Sequence, residues 1–147
     1  MNELCTKGAV ELARMIRSRQ VTTTEVIEAY LARIEEVNPM VNAVTVLLAD
    51  EARTAATTVD RALAAGTSLG PLAGVPFTVK ENIDVACSAT TWGVTALKAQ
   101  IAAVDAPTVS RLREAGAIPI ARTICQTMPS AGTRRVGSQA TPETHGP

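Results

Sequence analysis

Apolar positions in the first third of the chain recur at helical spacing. Leu12, Ala13 and Ile16, with Val10 before them, fall mostly to one side of a helix predicted over residues 8–19. Thr22 and Glu25 form a T-x-x-E capping box for a second helix, along which Val26, Ile27, Tyr30, Leu31, Ile34 and Val37 recur. Asn38 and Pro39 are expected to stop it. Stripes of this kind serve core packing more often than partner binding. Residues 43–47 read as a strand, and 49–65 as a third helix closed by Gly66.

From residue 70 the period changes. Gly70 to Gly74 is a glycine-rich approach loop, after which Val75, Phe77 and Val79 alternate with Pro76, Thr78 and Lys80 in a strand that ends on the lysine. Residues 83–94 form a connection. Asp105 is expected to cap the next helix, Pro107 suits its first turn, Gly116 ends it, and residues 117–121 form another strand. Strand, connection, helix and strand make a βαβ unit, with parallel pairing and a right-handed crossover. The fold class is therefore α/β, helix-rich at its start. No internal repeat and no phosphate-binding glycine motif is present.

Composition narrows the function classes. With 14 basic and 14 acidic residues, nothing draws this 147-residue chain to nucleic acid or to an anionic membrane. Cys5, Cys87 and Cys125 are too few for a disulfide framework and fit a reducing, cytoplasmic compartment. The single histidine, His145, leaves too few ligands for a metal site, so none is expected. Residues 1–7 lack the apolar core of a signal peptide, and no apolar run approaches a membrane span.

The candidate chemistry gathers around Lys80. Ligands of open α/β sheets bind at the carboxyl ends of strands, where this lysine lies, yet a lysine there is also commonly a solvated strand-end residue. The residues alone leave both readings open. Glu81 and Asp84 could do acid–base work, but read better as polar residues leaving a strand, with Asn82 favouring a turn. Ser88 is a poor nucleophile, since no oxyanion loop accompanies it.

The strings G-P-L-A-G-V-P-F-T-V-K-E-N-I-D-V, then S-A-T-T-W-G, then D-A-P-T-V-x-R-L-x-x-A-G-A-I-P-I-A-R-T run in order to Thr123. They resemble the N-terminal third of the amidase signature family. The resemblance implies part of a mixed sheet flanked by helices, incomplete over residues 1–123. It implies that Lys80 is the lysine of a Ser, cis-Ser, Lys triad that hydrolyses carboxamides through an acyl-enzyme. A serine hydroxyl needs a base to become a nucleophile, and an amine freed of its proton by desolvation can serve. Both family serines, and the amides that stabilise the oxyanion, come from a Gly/Ser-rich segment that this chain lacks. The resemblance also implies a small-molecule amide substrate, no cofactor, and a place near the acyl pocket for Thr90 and Thr91. Those hydroxyls equally suit satisfying a loop backbone.

After Thr123 the family continues with N-L-P-D-F, W-H-T, G-L-x-G and N-P-W, whereas this chain reads ICQTMPSAGTRRVGSQATPETHGP. Read one base earlier, the codons of Ile124 to Gly146 permit N, then M or L, then P-D-Y-A-E-R-W-H-T-E-S-G-L-x-G-N-x-R-N-P-W. Residues 124–147 are therefore expected to be an out-of-frame, disordered tail ending at an accidental stop. A truncated amidase-family protein, inactive by itself, is the leading expectation. A non-enzymatic interaction module that pairs with another chain is the alternative. Unpaired strand edges and uncovered helix faces would make the isolated chain poorly soluble.

Overall fold

The computed structural model describes residues 2–125. Four helices and three strands alternate along it: α1 Ala9–Arg17, α2 Thr23–Val41, β1 Val44–Leu47, α3 Ala49–Ala64, β2 Pro76–Lys80, α4 Pro107–Glu114 and β3 Ile118–Thr123. The sheet has the order β1-β3-β2, so the strand last in sequence is the central one. β2 runs parallel to β3 and β1 antiparallel to it. The sheet is thus mixed and flanked by helices, and the parallel pair agrees with the βαβ reading.

Central placement explains the composition of β3, in which residues 118–122 are all buried. Ile118, Ile120 and Ala121 pack with Ile27 and Leu31 of α2 and Ala52 and Ala56 of α3. A second cluster joins Leu12, Ala13 and Ile16 of α1 to Val26 and Val75. A third sets Val79 of β2 against Val85, Leu48 and Val109 of α4. Val10, expected on the packed face of α1, is 82% exposed because that cluster is closed without it.

The capping box forms as read, with the Thr22 hydroxyl accepting from Glu25 N and the Glu25 carboxylate accepting from Thr22 N. The expected stop at Asn38 and Pro39 is corrected: α2 continues through Pro39 to Val41 and is capped by Asn42 in the left-handed region. Proline there breaks only the final turn. Asn38 instead ties the helix to β1, its side chain accepting from Ala43 N and Val44 N and donating to Val44 O. Asp105 is a second correction, since the N-cap of α4 is Ala106. The Asp105 carboxylate accepts from Ala86 N at 2.8 Å and pairs with Arg113 at 3.0 Å, stapling the loop after β2 to α4.

The glycines before β2 answer to close packing. A Cβ at Gly70 would lie 2.4 Å from the Ala115 carbonyl oxygen. One at Gly74, where φ is +77°, would lie 2.7 Å from the Thr23 hydroxyl. The approach loop is therefore pressed between the α4–β3 turn and the start of α2.

Asp60 of α3 caps α2 from outside, accepting from Thr23 N at 2.7 Å, Thr24 N at 3.0 Å and the Thr24 hydroxyl at 2.7 Å. Partial burial pushes its carboxyl up, but these hydrogen bonds outweigh burial and hold it below the ordinary aspartate range. Asp60→Ala should cost about 1–2 kcal/mol, the usual loss on removing a helix cap, read from urea denaturation. A group with a lowered folded-state pKa stabilises above its unfolded value and loses that contribution as pH falls through the folded one. The wild-type advantage over the variant should accordingly be present at pH 7 and vanish on acidification below about pH 4.

Candidate active site

Lys80 ends β2 and pairs in register with Thr123 of β3. Its side chain is exposed and makes no hydrogen bond or ion pair with the described residues. The backbone on either side of it is closely held. Lys80 O accepts from Ile83 N at 3.0 Å, which closes a turn, and Glu81 N donates to Thr123 O at 3.0 Å, which extends the ladder by one residue. An exposed amine therefore stands on an ordered strand end.

Glu81 does not leave the strand into solvent as its sequence position suggested. It is 7% exposed, and its carboxylate accepts from the Thr91 hydroxyl at 2.5 Å. Side chains of adjacent strand residues point to opposite faces, so where Lys80 turns outward Glu81 turns in. Burial pushes the Glu81 carboxyl up, but hydrogen bonds from Thr45 and Thr91, the nearby Arg122 charge and the Gly93 amide together hold it below the ordinary range.

Arg122 escaped the sequence reading altogether. It is fully buried in β3, and its guanidinium donates to Ser88 Oγ at 3.0 Å, Lys80 O at 3.2 Å and Ile83 O at 2.7 Å. Desolvation lowers its pKa, opposed by the charges of Glu81 and Asp84. The strand expected over residues 117–121 stops one residue short of it, whereas β3 runs on to Thr123 and carries Arg122 into the buried centre of the sheet.

Ser88, Thr90 and Thr91 lie on the connection after β2. Ser88 is buried with its hydroxyl engaged by Arg122. Thr91 donates to Glu81 and accepts from Gly93 N at 3.1 Å, so its hydroxyl serves the loop as well as facing an open groove of about 830 Å3 shared with Thr45, Val46, Glu81, Val94 and Lys98. Thr90 lines a separate hollow of about 250 Å3 with Asp84, Trp92, Gln100 and Ile101, and its buried hydroxyl has no partner among the described residues. Lys80 lines neither of these hollows. Among the described residues no group of three or more histidine, cysteine or acidic side chains is gathered for a metal ion. No described helix is long and apolar enough to cross a membrane.

Comparison with known proteins converges on one family. The sequence model of the Amidase family matches residues 25–144. The chain is 44% identical over 123 residues to a glutamyl-tRNA(Gln) amidotransferase subunit of Acidothermus cellulolyticus, covering 84% of this chain and 24% of that protein. It is 47% identical over 116 residues to an indoleacetamide hydrolase of Bradyrhizobium diazoefficiens, covering 79% and 22%. Among solved structures, the native peptide amidase of Stenotrophomonas maltophilia superposes with a TM-score of 0.76 at 33% identity, over 82% of this chain and 25% of that one. A bacterial aryl acylamidase of the amidase signature family gives 0.76 at 30% identity, over 80% and 25%. The chain spans about a quarter of the length of these relatives. A family model that matches residues 25–144, together with these relatives, establishes that the chain belongs to the amidase family.

Proposed function

We propose that this chain is the lysine-bearing portion of an enzyme that hydrolyses a carboxamide to a carboxylate and ammonia or an amine. Lys80 would accept the proton of a nucleophilic serine through a bridging serine, both contributed by sequence outside these 147 residues. One observation carries the reading: an amine that engages none of the described residues stands at the carboxyl end of a parallel strand, its backbone held by the ladder to β3 and by the turn that follows. The isolated chain would then have no turnover of its own. Thr90 and Thr91 would border the acyl pocket, Thr91 from the groove beside Glu81.

The same reading takes residues 124–146 as translated one base out of frame, because their codons permit a continuous family-like string in the earlier frame. From residue 126 this segment lies outside the described residues. The family match runs to residue 144 and so crosses it, which makes the nucleotide sequence the deciding observation. Genomic DNA read across the codon of Thr123 should restore the string on insertion of one base and continue into a Gly/Ser-rich segment. Codons that cannot encode N, M or L, then P-D-Y in the earlier frame would overturn the frameshift.

A second reading, an interaction module completed by another chain, draws on the sheet. β1 and β2 are both edge strands, and Val46 and Leu47 of β1 are 44% and 40% exposed. Mixing the chain with a separately expressed remainder of an amidase should then yield a stable complex with turnover. No complex by size-exclusion chromatography would remove this reading.

A further inference from the structure

We infer that Arg122 and Glu81 are positioning residues for Lys80: a buried guanidinium and a buried carboxylate that grip the chain immediately after the lysine and fix the backbone from which its amine projects. The consequence for catalysis rests on the amide-hydrolase reading, whereas the grip itself stands on geometry.

The turn that terminates β2 runs from Lys80 to Ile83, closed by the Ile83 amide on the Lys80 carbonyl. Arg122 Nη2 reaches both carbonyls at this turn, at 3.2 Å and 2.7 Å, while Nη1 holds Ser88 five residues further on. No carboxylate lies within ion-pair distance of the guanidinium among the described residues. Its burial is therefore offset only in part, by two backbone carbonyls and a hydroxyl, its Nε having no partner among the described residues, and an apolar side chain would fill the slot without that desolvation. What an apolar side chain would not do is hold the Lys80 carbonyl, which adjoins the Cα bearing the amine, together with the Ile83 carbonyl at the far end of the turn.

Glu81 completes the grip from the other side. Its carboxylate takes the Thr91 hydroxyl, and its carbonyl oxygen takes Trp92 N at 3.2 Å, so the far end of the connection is folded back onto the residue next to the lysine. Glu81 and Arg122 attract each other across this arrangement without touching. Together they turn a strand end and a loop into a rigid mount for one mobile side chain. A base that must meet a serine from elsewhere benefits directly, because misplacement by about 1 Å can cost on the order of a hundredfold in rate.

The test has two arms. In the full 147-residue chain, amide hydrogen exchange is compared for wild type, Arg122→Met, Arg122→Lys, Ser88→Ala and Glu81→Gln. Arg122→Met should accelerate exchange at the Glu81 and Ile83 amides by about tenfold or more while the α2 amides keep their protection. Arg122→Lys should restore part of it, and Ser88→Ala, which spares both carbonyl contacts, should leave these two amides unchanged. Uniform acceleration across the chain, or none at Glu81 and Ile83, would overturn the grip. Should Arg122→Met fail to fold, Glu81→Gln and Thr91→Val carry the same comparison at the Trp92 amide.

In the frame-restored protein, Arg122→Met should lower kcat about tenfold or more with KM within about twofold, and Arg122→Lys should recover activity. Loss of turnover in Lys80→Ala with an unaltered kcat in Arg122→Met would sink the positioning role. Turnover that survives Lys80→Ala would instead remove Lys80 as the base and leave the exchange result standing.

Discussion

Lys80→Ala in the frame-restored protein should reduce kcat for amide hydrolysis by about a thousandfold or more, with the fold unchanged. The two halves of that expectation have separate causes. In the 147-residue chain Lys80 is exposed and engages none of the described residues, so its removal there should change unfolding free energy by less than about 0.5 kcal/mol, as for surface substitutions generally. The serine hydroxyl, by contrast, stays a weak nucleophile without a base. Lys80→Arg should be as inactive as the alanine variant, since a guanidinium keeps its proton and cannot accept another. Initial rates on a simple aryl amide, together with thermal melts of each variant, separate the two effects. Substantial turnover in Lys80→Ala would move the general base to another residue.

Ile120→Ala should be the most damaging conservative change in the core, costing about 2–5 kcal/mol. Ile120 is 2% exposed in the central strand, packed against Ile27 and Leu31 of α2 and against Ala52 and Ala56 of α3. The small alanines of α3 cannot expand into the space left, and β3 is pinned on both sides by its neighbours, so the cavity will not collapse readily. Against a total stability of about 5–15 kcal/mol for an ordinary domain, such a loss brings the chain close to unfolding. The same truncation at Val46, on the exposed edge strand, should cost less than about 1 kcal/mol. Urea midpoints for the two variants provide the comparison, and equal losses would refute this placing of the core.

Features of short range were legible in the sequence. The Thr22–Glu25 box involves residues three apart, and Gly66 and Gly116 adopt the positive φ that marks the ends of α3 and α4. The Lys80 strand was readable because its alternation is local, and the family resemblance supplied the lysine's role. What the sequence hid was settled at long range. Asp105 looks like a helix cap until Ala86, 19 residues earlier, claims its carboxylate. Glu81 looks solvated until Thr91 folds back over it, and Arg122 meets the Ile83 carbonyl across 39 residues. Pro39 looks like a stop because a helical proline cannot donate to the carbonyl four residues back, yet the helix is completed beyond it by the Asn42 N–H on the Asn38 carbonyl.

The strand order also sets a timetable. Both partners of β3 precede it in the chain, so on the ribosome α2 and α3 can meet early, while β1 and β2 have no strand to join until residues 118–123 emerge. Until then the nascent protein presents two unpaired edges and a helix pair without its floor. Closure comes late and all at once, through contacts that span more than 70 residues between β1 and β3. Folding of this segment should therefore be slow for its size, and a holding chaperone would find its substrate in the interval just before Ile118 is made.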